Sequence, residues 1–335
     1  MKPFRTLAIL LGLVSTFSYA QVYPYKNLVF EGAGIRGIAY AGILEEFEKA
    51  SLLDDIEKVG GTSAGAIIAL PLALGYSAAE INNLIYTTDF NKFNDGRFIF
   101  FGGIHRMKKH YGWYRGDEFS DWLGRLIARK TGNAEITFSE LHTQGYKDLY
   151  ITATCLNKQK LLIFSHETYP NMKVKDAVRV SMSIPLYFQA VFIDSSGAVI
   201  KKPGKRTDLD VVVDGGIIGN FPIQMFDHTD AAGRVPNPET IGIRIDSDTQ
   251  IEYDTKTKEL APIRITGFSV YMEAFYVMVL ENLNRNALTD ADWKRTISVS
   301  SANIGPRVKK LSATQKESLL NSGRKSARQF IEEMN

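Results

Sequence analysis

Short runs of apolar residues alternate with longer stretches in which apolar residues recur every three or four positions. The short runs are typical of buried strands, and the longer spacing is typical of helices with one buried face. Strands are predicted at residues 28–30, 56–60, 148–154, 161–164, 210–213, 240–245 and 295–299. Helices are predicted at residues 37–51, 63–74, 78–86, 116–130, 138–144, 174–180, 268–284 and 313–333. Long crossovers between short buried strands favour an α/β fold, a three-layer α/β/α sandwich around a mostly parallel sheet.

One of the predicted helices carries a continuous apolar stripe. The apolar residues follow helical spacing: Phe268, Tyr271, Met272, Phe275, Val279 and Leu283. Such a stripe is typical of a helix that packs on a core. We therefore expect this helix to pack in the core rather than to contact lipid.

A second segment combines aromatic and basic residues. An apolar run at residues 98–104 is followed by a basic stretch at residues 105–110 and then by Tyr111, Trp113 and Tyr114. Aromatic rings and cations together suit the boundary formed by lipid headgroups. Two interpretations stay open: a lid that touches a membrane, or a loop whose phenylalanines fold back onto the core.

Residues 1–20 differ in character from the rest of the chain. Lys2 and Arg5 precede an apolar run at residues 7–14, and a small-x-small cleavage site ends at Ala20. This order is typical of a secretory signal peptide, so we predict export to a periplasm, to a membrane surface or to the medium. The alternative is an uncleaved anchor, for which the apolar run is short.

Composition limits the classes of partner. Residues 21–335 show no repeat or low-complexity block and are predicted to form a single domain. The formal net charge is +3, and it falls to +1 without the two basic residues of the predicted signal peptide. Because nucleic-acid binding needs a concentrated basic face, we predict no nucleic-acid partner.

Cysteine and histidine usage bears on disulfides and metals. Cys155 is the one cysteine of the chain, which excludes an intramolecular disulfide, and its apolar neighbours predict that it is packed in the core. The sequence contains no C-x-x-C or H-E-x-x-H pattern. We therefore predict no metal site and no cofactor.

The sequence Gly61-Thr62-Ser63-Ala64-Gly65 has the G-x-S-x-G spacing of a nucleophile elbow. A serine hydroxyl is a weak nucleophile in water and needs a base and oxyanion donors beside it. A tight turn from strand to helix exposes the hydroxyl, and the two glycines let the neighbouring backbone pass closely. Ser63 is therefore a candidate nucleophile.

A second glycine motif, Gly32-Ala33-Gly34-Ile35-Arg36-Gly37, lies between the first predicted strand and a helix. Backbone N–H groups at such a junction can hold negative charge. The charge is a tetrahedral oxyanion in a hydrolase and a pyrophosphate in a dinucleotide-binding protein, whose G-x-G-x-x-G spacing also fits. The dinucleotide interpretation needs a strand that ends in an acidic residue about twenty positions later. The acidic residues Asp54, Asp55 and Glu57 instead precede the strand that leads into Ser63.

A third motif, Asp214-Gly215-Gly216, ends a β-branched run. A carboxylate at a strand end can act directly as a base on a serine hydroxyl. In a parallel sheet, the loops that carry Gly34, Ser63 and Asp214 would lie along one edge. The alternative is an ordinary turn after a strand.

The three motifs, in this order, resemble those of the patatin-like phospholipase family: a glycine-rich loop with a basic residue, G-x-S-x-G, and D-G-G or D-G-A. The resemblance covers roughly residues 27–222 and includes the segments 177–188 and 219–222 that flank the aspartate. It implies that Ser63 is the nucleophile and Asp214 its base. It also implies that Gly32, Ala33 and Gly34 supply oxyanion N–H groups, with Arg36 near the same anionic site.

One position departs from the family pattern. The family often has three consecutive glycines where this chain has Gly32-Ala33-Gly34. Because alanine rarely adopts a positive φ, we expect the oxyanion hole to be built mainly around Gly34.

The resemblance implies a serine acyl hydrolase of the phospholipase A or lysophospholipase type, which forms an acyl-enzyme on phospholipid or other lipid esters. Transient contact with a membrane surface is expected from the aromatic and basic segment described above, and some members of the family require an activating protein. Two other functions stay open: an esterase for soluble esters or acylglycerols with a Ser-Asp-His triad, or a catalytically silent lipid-binding module. In a triad, His228 would follow Ser63 and Asp214 in chain order.

Overall fold

The computed structural model describes residues 23–96, 99–279, 285–307 and 310–334. The predicted signal peptide at residues 1–20 lies outside this part of the chain. Among the described residues, no helix combines the length and the apolar character that crossing a bilayer requires.

Twelve strands are found in the described residues, and each of the seven predicted strands is present with its ends within two residues of the prediction. They are β1 Asn27–Phe30, β2 Lys58–Gly61, β3 Gly112–Tyr114, β4 Asp148–Cys155, β5 Lys160–Phe164, β6 Leu186–Phe188, β7 Val191–Ile193, β8 Asp210–Asp214, β9 His228–Asp230, β10 Gly233–Val235, β11 Thr240–Asp246 and β12 Thr296–Ser300.

The central sheet has the strand order β12-β11-β1-β2-β4-β8-β7, and β5 also pairs with β4. The five strands from β12 to β4 are parallel to one another. The β4–β5, β4–β8 and β7–β8 pairs are antiparallel. The predicted α/β fold with a mostly parallel central sheet is therefore confirmed.

The described helices include all eight that the sequence predicts, although the predicted helix at residues 268–284 is described only as far as residue 279. The helices are α1 Ile38–Lys49, α2 Ala64–Ala73, α3 Ala78–Thr87, α4 Ile99–His110, α5 Asp117–Thr131, α6 Phe138–Thr143, α7 Val174–Ser181, α8 Gly216–Gly219, α9 Asp248–Lys256, α10 Phe268–Val277, α11 Asp290–Lys294 and α12 Ala313–Met334.

Both faces of the sheet are covered, as two adjacent glycines of β2 show. Successive residues of a strand point to opposite faces. A Cβ on Gly61 would lie 2.5 Å from the carbonyl carbon of Gly65 in α2. A Cβ on Gly60 would lie 2.1 Å from Sδ of Met225, in the segment after α8. The sheet therefore lies between a helical layer and the chain that follows Asp214.

Pairing along β4 shows how β8 reaches the sheet. One edge of β4 pairs with β5 from Ile151 to Cys155. The opposite edge pairs with β2 as far as Ile151, which lies opposite Gly61. The same edge then pairs with β8 from Ala153, which lies opposite Asp214, to Cys155. Thus β2 and β8 occupy one edge of β4 end to end and run toward each other.

This arrangement corrects one expectation. We expected Asp214 to reach the site at the carboxyl edge of a parallel sheet, but β8 is antiparallel to β4. Asp214 meets the end of β2 from the opposite direction, because β4 extends beyond β2 and leaves an edge free for β8.

Two other expectations also change. Part of the aromatic and basic segment forms helix α4 rather than a loop, and Phe98 lies outside the described residues. The apolar stripe of α10 is not packed in the core, since Phe268 is 79% exposed, Phe275 57% and Tyr271 55%. The prediction that this helix packs in the core was therefore wrong. Helical periodicity shows which face of a helix is apolar, but it does not show whether other residues bury that face.

Candidate active site

Ser63 lies in a strained turn between β2 and α2. Its backbone has φ 51° and ψ −117°, a region that residues with a side chain rarely adopt. A Cβ on Gly65 would lie 2.3 Å from the carbonyl oxygen of Phe30, so only glycine permits this close approach of α2 to β1. The G-x-S-x-G spacing therefore corresponds to a tight strand-to-helix turn with the serine at its tip.

Asp214 ends β8 beside that turn, and its side chain is buried. The Gly216 N–H donates to Oδ1 of Asp214 at 2.8 Å. Burial raises the pKa of the Asp214 carboxyl to about 7, although hydrogen bonds from the Gly216 N–H and the Ser63 hydroxyl act to lower it. The carboxyl therefore titrates near neutral pH.

Other contacts fix the two groups in place. The backbone N–H of Asp214 donates to the carbonyl of Ser183 at 3.0 Å. The N–H of Ser63 donates to Oγ of Ser181 at 2.8 Å, and Oγ of Ser63 lies 3.4 Å from Sδ of Met182. The end of α7 thus contacts both Ser63 and Asp214. The sequence included this segment in the resemblance but assigned it no role.

Two threonine side chains, Thr62 and Thr152, connect the turn at Ser63 to β4. The hydroxyl oxygens of Thr62 and Thr152 lie 2.5 Å apart. The Thr62 hydroxyl also lies 2.8 Å from the carbonyl of Gly219, just beyond Asp214. Thr152 follows the β4 residue that pairs with β2 and precedes the one that pairs with β8. These contacts tie the ends of both strands to β4.

The glycine-rich loop turns at Gly34. Ala33 has φ −132°, which suits any residue, whereas Gly34 has φ 56°. A Cβ on Gly34 would also lie 2.0 Å from the carbonyl oxygen of Pro306. The positive φ falls on Gly34, as the departure at Ala33 led us to expect. The N–H of Gly32 donates to the carbonyl of Asn220 at 3.0 Å, so this group is engaged within the fold.

Apolar side chains surround the Ser63 side chain. Among the described residues that line this pocket, only Ser63 has a polar side chain. The pocket is lined by Gly34, Ile35, Gly37, Ile38, Ser63, Ala64, Ile67, Ile68, Ile85, Phe90, Phe93, Phe119, Met182, Ile184 and Phe188. Sequence reasoning missed most of these residues, because they come from six separate segments and only the fold brings them together.

The family model described as patatin-like phospholipase matches residues 28–227, which include both strand ends and the glycine-rich loop. The chain belongs to this family. Its activity is accordingly that of a lipid ester hydrolase.

Known proteins similar to this chain include two viral proteins. Protein R571 of Acanthamoeba polyphaga mimivirus is 28% identical over 309 residues, which is 91% of this chain and 93% of R571. The probable lipid hydrolase 463L of Invertebrate iridescent virus 6 is 27% identical over 232 residues, 67% of this chain and 71% of that protein.

A solved structure shares the fold. VipD from Legionella pneumophila superposes with a TM-score of 0.58 at 16% identity, covering 93% of this chain and 67% of VipD. At this level of identity the similarity concerns the fold alone.

The Arg36 side chain does not line the apolar pocket. Its side chain is buried, and Nε donates to the carbonyl of Ala33 at 3.1 Å. Burial raises the pKa of Asp246, but the guanidinium groups of Arg244, Arg285 and Arg36 outweigh it and hold that pKa below its usual value. Arg36 thus contacts the glycine-rich loop through the Ala33 carbonyl and lies near the carboxylate of Asp246. It does not line the pocket beside Ser63.

The histidines do not join Ser63 and Asp214. All five histidines of the chain lie within the described residues, and none of them lines the pocket. His228 is exposed on the hairpin of β9 and β10, where it pairs with Val235. The geometry gives no support for a Ser-Asp-His triad.

Proposed function

We propose that this protein is a serine acyl hydrolase of the phospholipase A or lysophospholipase type, with Ser63 as nucleophile and Asp214 as general base. The observation that carries the proposal is the placement of Ser63 and the buried Asp214 carboxyl at the facing ends of β2 and β8, with Ser63 close enough to lower the pKa of Asp214. Ser63 lines an apolar pocket, which suits a substrate with a long acyl chain.

The first half of the reaction forms an acyl-enzyme. The Asp214 carboxylate takes the proton of the Ser63 hydroxyl as Oγ attacks the ester carbonyl carbon. The tetrahedral intermediate collapses, its bond to the alcohol oxygen breaks, and Asp214 returns the proton to that oxygen. The lysophospholipid or other alcohol leaves, and the acyl group stays on Ser63.

Water completes the cycle. Asp214 takes a proton from a water molecule as the water oxygen attacks the acyl carbonyl carbon. The second intermediate collapses, the bond to Oγ breaks, and the proton returns to Ser63. The fatty acid leaves as the second product.

We assign stabilisation of the two oxyanions mainly to the backbone at Gly34. Gly34 lines the pocket beside Ser63, and its positive φ sets the direction of the loop. Gly32 and Arg36 act indirectly in this proposal, because both are engaged in contacts that hold the loop. Ala33 contributes the carbonyl that accepts from Nε of Arg36.

We also propose transient contact with a lipid surface through the exposed apolar residues of α10 and of the residue after it, here called the α10 face: Phe268, Tyr271, Met272, Phe275 and Met278. A contiguous exposed apolar patch on a lipid hydrolase suits insertion into a membrane interface.

The α10 face is connected to the glycine-rich loop. Nη1 of Arg307 donates to Oγ of Ser269 in α10 at 3.0 Å. The preceding residue, Pro306, accepts a hydrogen bond from the N–H of Ile35 at 3.1 Å. Docking of this face would therefore bring the lipid surface near the pocket that contains Ser63.

The secretory role of residues 1–20 remains our proposal as well. An exported chain would begin after Ala20, and the amino-terminal sequence of the protein recovered outside the cytoplasm tests this directly.

The function is tested by incubating the protein with mixed phospholipid vesicles and measuring released fatty acid and lysophospholipid. We expect release that is lost in Ser63→Ala. Vesicle binding without turnover by the folded wild type would favour a lipid-binding module. Turnover of soluble esters without turnover of vesicles would favour an esterase of another substrate class. Release that persists in Ser63→Ala would remove Ser63 from the mechanism.

A further inference from the structure

Two histidines and one aspartate converge at the amino-terminal end of β4. His142 comes from α6, Asp148 is the first residue of β4, and His166 follows β5. Nδ1 of His142 lies 2.7 Å from Oδ1 of Asp148, and Nδ1 of His166 lies 3.4 Å from the same oxygen. The imidazole rings of His142 and His166 therefore both lie next to the same carboxylate oxygen of Asp148.

The two rings are also held together. Their centroids lie 4.0 Å apart and their planes differ by 5°. The three ligand atoms all lie within 4.8 Å of one another. Zinc bonds of about 2.0–2.2 Å place ligand atoms roughly 3–3.5 Å apart, and the separations of 2.7 and 3.4 Å from Oδ1 of Asp148 are near this range. Because an imidazole lone pair lies in the plane of its ring, the two stacked rings would have to turn toward a shared ion.

We propose that His142, Asp148 and His166 form a binding site for a divalent transition metal ion, with zinc as the ion it fits best. Two imidazole nitrogens and one carboxylate oxygen favour zinc over magnesium or calcium, which prefer oxygen ligands throughout. Water completes the coordination, since the His142 side chain is 53% exposed and leaves the site open.

Contacts around the cluster fix the positions of the elements that carry these three residues. The backbone N–H of Asp148 donates to the carbonyl of Glu57 at 2.9 Å. Helix α6, which carries His142, begins with a capping box between Thr137 and Glu140. The ring of Tyr150 meets that of His166 edge-on, at 6.3 Å between centroids. These contacts fix the backbones that carry Asp148 and His142 and one side of the His166 ring.

The site is separate from the hydrolytic centre. Asp148 opens β4, whereas Ala153 of the same strand pairs with Asp214. Five residues of strand span about 16 Å, so the metal would not reach Ser63. It would instead connect α6 and the chain after β5 to the start of β4 and stabilise this edge of the sheet. Such a role is independent of the proposed function.

Sequence reasoning predicted no metal site because the three residues form no short-spaced motif. Six positions separate His142 from Asp148, and eighteen separate Asp148 from His166. The fold brings them together through the packing of α6 on β4 and the pairing of β5 with β4.

Isothermal titration of the full protein with Zn²⁺ tests the site. We expect one equivalent to bind, and His142→Ala and His166→Ala each to weaken binding by roughly 100-fold or more, since loss of an outer-shell partner alone costs about 10- to 100-fold. His228→Ala is the matched control: it removes an exposed histidine of β9 and should bind Zn²⁺ as the wild type does.

Thermal unfolding gives a second readout that does not involve hydrolysis. Zn²⁺ should raise the melting temperature of the wild type and of Ser63→Ala, but not that of His142→Ala/His166→Ala. If the alanine variants do not fold, Asp148→Asn removes the ligand charge with little change of shape and should also lose the shift. No binding by the wild type, or equal binding and stabilisation in these variants, would overturn the proposal.

Discussion

Ser63 lies beside Asp214 because β2 and β8 approach end to end along the same edge of β4. The residue of β4 opposite Gly61 is Ile151, and the residue opposite Asp214 is Ala153. The two strand ends are thus positioned by one continuous strand, which fixes their separation.

Removing the base should strongly reduce turnover without unfolding the protein. Asp214→Asn keeps the shape of the side chain but cannot accept the Ser63 proton, so we expect the rate of fatty acid release to fall by roughly 10²- to 10⁴-fold. His228→Ala is the control and should keep the wild-type rate. A reduction in His228→Ala as large as that in Ser63→Ala would instead indicate a histidine-dependent triad.

The rate of hydrolysis should rise with pH through about 7. The Asp214 pKa is raised to about 7 by burial, and only the deprotonated carboxylate can accept the Ser63 proton. A profile of kcat/KM from pH 5 to pH 9 should therefore show an ascending limb near this value. A flat profile across that limb would contradict the assignment of Asp214 as base.

Stability should change with pH in the opposite direction. The folded-state pKa of Asp214 lies above its ordinary value of 3.8, so this group stabilises the fold fully below that value. The contribution is lost as pH rises from about 4 through about 7, and a shift of this size corresponds to roughly 4 kcal/mol. Asp214→Asn should remove this pH dependence. Unfolding by denaturant at pH 5 and pH 8 measures the difference, and Ser63→Ala serves as a control that retains the carboxyl.

Adjacent positions of the glycine-rich loop should respond differently to substitution. Gly34→Ala should lose both activity and stability, because its φ is 56° and the new Cβ would lie 2.0 Å from the Pro306 carbonyl oxygen. Ala33→Gly should keep activity and lose only about 0.5–1 kcal/mol of stability, because φ at this position suits either residue. Equal activity in the two variants would show that the turn at Gly34 does not matter for the oxyanion.

The pocket should determine which acyl chains are accepted. Ile67→Phe adds volume to the lining beside Ser63 and should lower kcat/KM for long-chain esters more than for short-chain esters. Ile241→Phe is a matched control in β11, away from the pocket lining, and should cost stability without changing the preference. The ratio of kcat/KM values for a long-chain and a short-chain ester separates the two variants.

Charge on the α10 face should weaken vesicle binding but leave the chemistry intact. Phe268→Glu/Phe275→Glu replaces two exposed rings, so we expect lower co-flotation with vesicles and an unchanged rate on a water-soluble short-chain ester. Leu156→Glu is the control, since Leu156 is 44% exposed in the turn between β4 and β5. Equal losses of flotation in both variants would show that α10 has no special role.

Local features were predictable because neighbouring residues determine them. The turn at Ser63 follows from the spacing of Gly61 and Gly65, and the turn at Gly34 follows from the rarity of positive φ at alanine. Strand and helix positions follow from apolar periodicity, which is a property of the chain itself.

The sequence by itself therefore determined seven of the strands, eight of the described helices, the mostly parallel α/β class and the three motifs that contain Ser63, Asp214 and the glycine-rich loop. Only the tertiary structure decided that β8 runs antiparallel to β4, that the apolar residues of α10 are exposed, and that His142, Asp148 and His166 share one corner. These features depend on which distant segments pair and pack against each other. The apolar periodicity of one segment does not show which strand it pairs with or which residues bury its apolar face.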